Sequence, residues 1–267
     1  MITNNGKKQH LSVIAGKAYS FADTFVLGAS SANLDETITD LDFTWGSFPI
    51  TDSIVDHELQ QVVFYGTIPA EMAGEIKEIG LASIDEGLIG SGRPISRTFF
   101  FGTEEGWMPA AEEEVAFIND GSKMGPESLM WETIEPGQSV FLRDITFDIS
   151  DSNMVKLAAE ADFASTIEIS FYSSDTEKAS SQFDLAVGEN LVKKNFSSFT
   201  TTTGFNRQNI IRVELKIISG SATIVVDSLI LSNESNGGLV MREIPANPII
   251  KSGGSTMEVE MAVMLSV

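Results

Sequence analysis

The stretch Ile211-Arg212-Val213-Glu214-Leu215-Lys216-Ile217 places an apolar side chain at every second position and a charged one between. Successive side chains of a β-strand point to opposite faces. The pattern therefore predicts a half-buried strand, with Arg212, Glu214 and Lys216 toward solvent. Ala222, Ile224 and Val226 alternate with Thr223 and Val225, and the run continues through Asp227 to Leu231. Ile167, Ile169 and Phe171 alternate with Glu168 and Ser170, and Ile145, Phe147 and Ile149 with Thr146 and Asp148. Residues 183–187 and 191–199 are further strand candidates. A short helix over 153–161, capped by Asp151 or Ser152, is expected to interrupt them. Strands at this spacing over about a hundred residues predict an antiparallel β-sandwich or jelly roll.

Outward from that block lie two flanks. Upstream, residues 5–15 predict a helix with Leu11 and Ile14 on one face. Residues 23–27 predict a strand, and residues 37–48 mix acidic and aromatic side chains around Trp45. Residues 61–68 predict a strand with Val63, Tyr65 and Thr67 on one face and Val62, Phe64 and Gly66 on the other. Residues 69–74 predict a turn and 76–84 a strand. Gly87, Gly90, Gly92 and Pro94 predict a loop, 96–101 and 115–118 strands, and Asn119-Asp120-Gly121-Ser122 a turn.

Downstream, residues 232–238 predict a linker. Residues 256–265 follow, with Met257, Val259, Met261, Val263 and Leu265 on one face and Glu258 and Glu260 on the other. A lone strand cannot bury such a face, so it is expected to return to the N-terminal module. The expected fold is mainly β, with few short helices and two modules. A split β-rich base domain spans 1–125 plus 236–267, and an inserted β-sandwich spans 126–235.

Composition sets the class. Of 267 residues 42% are hydrophobic and 21% charged, enough for a buried core. The 38 acidic against 17 basic residues give a net charge of −21, which repels phosphate backbones and argues against nucleic acid. No cysteine is present, which excludes disulfides and thiolate chemistry. The polar opening Met1-Ile2-Thr3-Asn4-Asn5-Gly6-Lys7-Lys8 lacks the apolar run of a signal peptide, and no stretch is long enough for a membrane span. The expectation is a soluble protein made in a cytoplasm.

Catalytic signatures are sparse. His10 falls in the first predicted helix and His57 in the acidic Asp56-His57-Glu58; surface or capping roles suit both better than a triad. Gly87, Gly90 and Gly92 lack the Lys-Ser/Thr of a phosphate loop. No catalytic or cofactor residue is assigned, and the protein is expected not to be an enzyme. Structural calcium would draw on Asp40 and Asp42, or on Asp144, Asp148 and Asp151. Sugar binding needs exposed aromatic rings with hydrogen-bonding neighbours. The candidates are Trp131, Tyr172, Phe205 and Arg207, with Phe199 near a predicted loop.

The order of the flanking motifs resembles a structural module of tailed-bacteriophage particles. Asn4-Asn5-Gly6-Lys7-Lys8 precedes Phe25-Val26-Leu27-Gly28-Ala29, then come a strand like 62–68, the segment Ile76-Lys77-Glu78-Ile79-Gly80-Leu81, a strand like 97–101 and a closing strand like 257–263. The inserted segment resembles carbohydrate-binding jelly rolls, on residues 211–217 followed by Ala222-Thr223-Ile224-Val225-Val226-Asp227-Ser228-Leu229. The resemblance implies a structural part of a virion assembled in the host cytoplasm. Its base domain would dock to tail, baseplate or fibre proteins, and the chain would form a homo-oligomer. The alternatives are a capsid decoration or head fibre, and an adhesin whose jelly roll binds a host glycan.

Overall fold

The structure, a computed structural model, describes residues 1–16, 20–30, 37, 41–83, 97–101, 106–110, 115–118, 124, 127–132, 135–233 and 238–264. The chain forms two units, Met1–Ile95 with Glu234–Val267, and Ser96–Asn233. The loop expected around Gly87, Gly90, Gly92 and Pro94, the turn at 119–122, Asp40 and Leu265 lie outside the described residues.

Unit one opens with α1 (Asn4–Ile14). Thr3 caps it, its Oγ1 accepting the Gly6 N–H at 3.0 Å while donating to the Leu239 carbonyl at 2.6 Å. Leu11 and Ile14 stay exposed. Close approach seats the helix instead. A Cβ on Gly6 would run into the Val240 carbonyl oxygen, and buried Gln9 donates from Nε2 to Ser20 O at 2.8 Å and Ser83 Oγ at 3.2 Å. The strands β1 (Thr24–Gly28), β2 (Thr44–Asp56), β3 (Gln61–Ile68), β4 (Gly74–Ile76) and β5 (Glu78–Ala82) follow. The single strand expected over 76–84 is broken at Lys77, whose N–H bonds Gly28 O at 2.9 Å.

Unit two supplies β6 (Arg97–Phe100), β7 (Trp107–Pro109), β8 (Val115–Ile118), β9 (Ser128–Trp131), β10 (Ser139–Leu142) and β11 (Met154–Ala161). It continues with β12 (Ser165–Tyr172), β13 (Lys178–Leu185), β14 (Gly188–Asn195), β15 (Thr200–Thr201), β16 (Arg212–Ser219) and β17 (Ile224–Ser232). The chain then returns to unit one with β18 (Leu239–Glu243), β19 (Ile249–Lys251) and β20 (Met257–Met264).

In unit one a six-stranded sheet runs β18-β5-β1-β2-β3-β20, and β19 pairs with β4. β20 pairs antiparallel with β3 from Met257↔Ile68 to Met264↔Gln61. Val259, Met261 and Val263 are buried and Glu258 and Glu260 exposed, as alternation requires.

Unit two holds two sheets, β15-β13-β12-β16-β10-β7 and β14-β11-β17-β9-β8, with β6 also paired to β17. One continuous core joins them, built from Ile167, Ile169 and Phe171 of β12, Val213, Leu215 and Ile217 of β16, Val155 and Leu157 of β11, and Leu229 and Leu231 of β17. The protein is thus mainly β, with antiparallel sheets of the β-sandwich kind.

Three sequence expectations are corrected. The helix over 153–161 is β11. Lys156 and Ala158 on its second face are buried as fully as Val155 and Leu157, so two-sided burial removes the alternation, and sheet pairing overrides the helix preference of Ala, Leu, Lys and Glu. Residues 145–149 form no strand. The bridge Phe147↔Ile210 and the bonds between Ile149 and Arg207 tie them to the 207–210 loop without building a ladder, although Phe147 and Ile149 are buried. The unit boundaries lie at 95/96 and 233/234, not at 125/126 and 235/236. The cause is that β6, β7 and β8 pair with β17, β10 and β9.

Candidate functional site

The outer face of the β12–β13–β16 sheet carries the polar half of each alternating strand. Register sets its rows: Arg212, Tyr172 and Lys178 lie across three adjacent strands, then Glu214, Ser170 and Ser180, then Lys216, Glu168 and Gln182. Polar side chains meet between the rows. Lys178 Nζ lies 3.2 Å from Glu168 Oε1, and the Tyr172 hydroxyl donates to Glu214 Oε2 at 2.7 Å. Burial, then that hydrogen bond, pushes the Tyr172 phenol above its ordinary pKa.

At the Tyr172 end of this face opens a cleft of about 570 Å³. Three segments line it: Arg143, Asp144, Ile145 and Thr146 after β10, Ser174 and Asp175 after β12, and Ile211 and Arg212 at the start of β16. The Arg212 guanidinium sits over the Tyr172 ring, 3.6 Å from its centre. That of Arg143 sits over Phe141, 3.8 Å away. Asp144 holds a left-handed backbone, φ 57°, which Asp tolerates better than most residues. The cleft thus offers two guanidinium donors, two carboxylate acceptors and two hydroxyls within one concave surface.

The sequence-derived sugar contacts do not gather there. Trp131 is fully buried in the core of unit two, with its indole N–H unpartnered among the described residues, so it is no stacking platform. Phe205 is half-buried against the same core, 6.5 Å from the Phe196 ring. Arg207 is a loop clamp. Its guanidinium lies 4.4 Å from the Phe196 ring centre and donates to the carbonyls of Ile149, at 2.7 Å, and Ser152. Burial lowers the pKa of that guanidinium. Phe199 is buried, stacked on Phe196 at 4.8 Å. Tyr172 does not line the cleft; it meets the cleft residue Arg212, whose guanidinium covers its ring. Alternation had already turned Arg212 to solvent; nothing in the sequence tied Arg143, Asp175 or Ser174 to it.

The carboxylates weighed for calcium are dispersed. Asp144 lines the cleft, whereas Asp148 accepts the Ser150 N–H at 2.7 Å. Hydrogen bonds from the Ser150 side chain and backbone hold the Asp148 carboxyl below the usual range. Among the described residues no three acidic or histidine side chains come together as a metal site. His10 lies in unit one, on a largely apolar groove with Leu11, Phe21, Val55, Val62 and Phe64, its ring edge-on to Phe21 at 6.4 Å. Among the described residues no helix is long and apolar enough to cross a membrane.

No family model matches the sequence, and no curated protein matches it. Solved structures are similar to part of it. One is the family 11 carbohydrate-binding module from Clostridium thermocellum, in complex with a β-1,3-1,4-mixed-linked tetrasaccharide. It matches over 52% of this chain and 95% of its own, at 13% identity and a TM-score of 0.40. A family 6 carbohydrate-binding module matches over 51% of this chain and 92% of its own, at 14% identity and a TM-score of 0.37. The enzymatically active domain of bacteriophage CBA120 tailspike protein 4 matches over 52% of this chain and 21% of its own, at 13% identity and a TM-score of 0.35.

Proposed function

We propose that this chain is a non-enzymatic glycan-binding protein, with the cleft of unit two as its binding site. The observation that carries this reading is the convergence of Arg143, Asp144, Thr146, Ser174, Asp175 and Arg212 on one open cleft of about 570 Å³. Vicinal sugar hydroxyls both donate and accept, and a wall of guanidinium, carboxylate and hydroxyl groups satisfies both. The outer face of the β12–β13–β16 sheet extends the same polar lining beyond the cleft.

The test is a glycan array probed with the full chain, followed by titration calorimetry on the strongest ligand. Binding is expected, and Asp175→Asn and Arg212→Ala are expected to weaken it while circular dichroism stays unchanged. A flat array from folded protein overturns the reading.

The setting we infer is a tailed-phage particle, with unit one docking to other virion proteins. Its support is the order of motifs in the sequence, from Asn4-Asn5-Gly6-Lys7-Lys8 to the closing strand. Those motifs fall on α1, β1, β3, β5 and β20 of unit one and on β6 of unit two. Light scattering of the purified chain, with and without calcium, tests the expected symmetric oligomer. A monomer in both conditions removes the homo-oligomer from the proposal.

A further inference from the structure

The two arginines of the cleft carry information about ligand charge. Each guanidinium is held over an aromatic ring, Arg143 over Phe141 at 3.8 Å and Arg212 over Tyr172 at 3.6 Å. A ring beneath the guanidinium fixes its position while leaving the N–H edge free to donate.

Neither group is otherwise engaged. Among the described residues neither forms an ion pair or a hydrogen bond, and Arg212 Nε is buried without a partner. Asp144 and Asp175 line the same cleft, yet neither pairs with either arginine. Neighbouring cations of unit two are committed differently. Lys178 is matched by Glu168, and Arg207 is spent on two backbone carbonyls. In a chain with 38 acidic and 17 basic residues, two unpaired guanidinium groups on one concave surface stand apart from the surrounding charge.

An arginine fork matches the planar geometry of a carboxylate and donates to it through two parallel N–H bonds. We propose that the cleft selects glycans bearing a carboxylate, of the uronic- or sialic-acid kind. Arg143 and Arg212 donate to the carboxylate, and Asp144, Asp175, Thr146 and Ser174 meet the flanking hydroxyls. This inference rests on the reading of the cleft as a glycan site and adds the charge of the sugar.

The experiment uses the full chain on an array that carries neutral, carboxylated, sulfated and phosphorylated oligosaccharides. Calorimetry then compares the strongest carboxylated ligand with its carboxyl-reduced counterpart, in which the acid has become a primary alcohol. The expected result is that reduction weakens binding by about tenfold or more, the scale of hydrogen bonds to a charged group, and that affinity falls as salt is raised. Arg212→Gln and Arg143→Gln are each expected to cause a loss of the same order. Arg143 follows β10 on a surface loop, so its variant keeps the test valid if Arg212→Gln disturbs the fold.

Equal affinity for the acid and its reduced form overturns the carboxylate while leaving the cleft as a glycan site. Preference for sulfated or phosphorylated sugars over carboxylated ones also overturns it. Binding that survives both arginine variants removes these side chains from recognition. Silence across the whole array overturns this inference and the glycan reading together.

Discussion

Two pairings of a cation with a glutamate sit at very different depths in this protein. In unit two, Lys178 and Glu168 meet at 3.2 Å on the outer face of a sheet, with their side chains 32% and 21% exposed. In unit one, Arg242 and Glu78 meet inside the sheet, with side chains 1% and 0% exposed. The first pair remains in contact with water, where the gain from pairing is small because solvent already satisfies both charges. The second has lost that solvation. Glu78 is held by the Arg242 guanidinium and by the Asp42 N–H at 3.3 Å, and burial still pushes its pKa up. Depth separates what each pair does: the outer one shapes a surface, and the inner one ties β18 to β5.

The largest expected effects test how much each interior depends on one side chain. Arg242→Met removes the cation that faces the buried Glu78, and about 3–5 kcal/mol of stability should be lost at neutral pH. Chemical denaturation measures it. The double variant Arg242→Met with Glu78→Gln should recover much of that loss, and full additivity of the two changes would show that the buried pair is not coupled. Trp131→Ala should cost unit two about 3–5 kcal/mol through the cavity it leaves. A small effect there would mean that the ring is not the core element described.

The titration of Glu78 sharpens the contrast further. Its folded pKa is raised above the unfolded value, chiefly by desolvation. The folded state therefore binds this proton more readily than the unfolded chain. The stabilisation from Glu78 is present below the ordinary carboxylate pKa and is lost as pH rises through the raised value. Tm measured across mild acid should fall with rising pH more steeply in the wild type than in Glu78→Gln. Identical slopes would show that the buried carboxyl is not the titrating group.

Effects on the outer face should be smaller. Tyr172→Phe removes one hydrogen bond to Glu214 and should cost about 1 kcal/mol. Lys178→Ala should cost no more than about 1 kcal/mol and become neutral at high salt. A loss from Lys178→Ala that matched Arg242→Met would erase the distinction between the two pairs.

The legibility of the chain follows the same division between one-sided and two-sided burial. β12, β16 and β20 each bury one face, so their core residues fall at every second position and the strands are plain in the sequence. In β17 a register irregularity opposite Ala158 and Ala159 shifts the phase, so that Ile224 and Val226 and then Leu229 and Leu231 all reach the core. β11 is covered on both faces and carries no alternation to read. Residues 145–149 alternate without forming a strand, because loop packing under Arg207 buries Ile149 as effectively as a sheet would.

The candidate site was only partly visible for a related reason. A solvent-facing polar residue is legible from strand phase, which is how Arg212 and Tyr172 stand out. A cleft is not, since its walls come from positions distant in sequence, with Arg143, Ser174 and Arg212 joined only by register and loop path. Trp131 shows the converse. Its ring type suggested a sugar platform, and the pairing Ile224↔Trp131 turned it inward.

By itself the sequence determined the β class, the phase of β12, β16 and β20 and the strongly negative net charge, because these depend on side-chain period and composition alone. Tertiary structure decided which strands share a sheet, where the two units part, and which arginines meet across the cleft. Those outcomes depend on pairing between distant segments, for which local sequence carries no term.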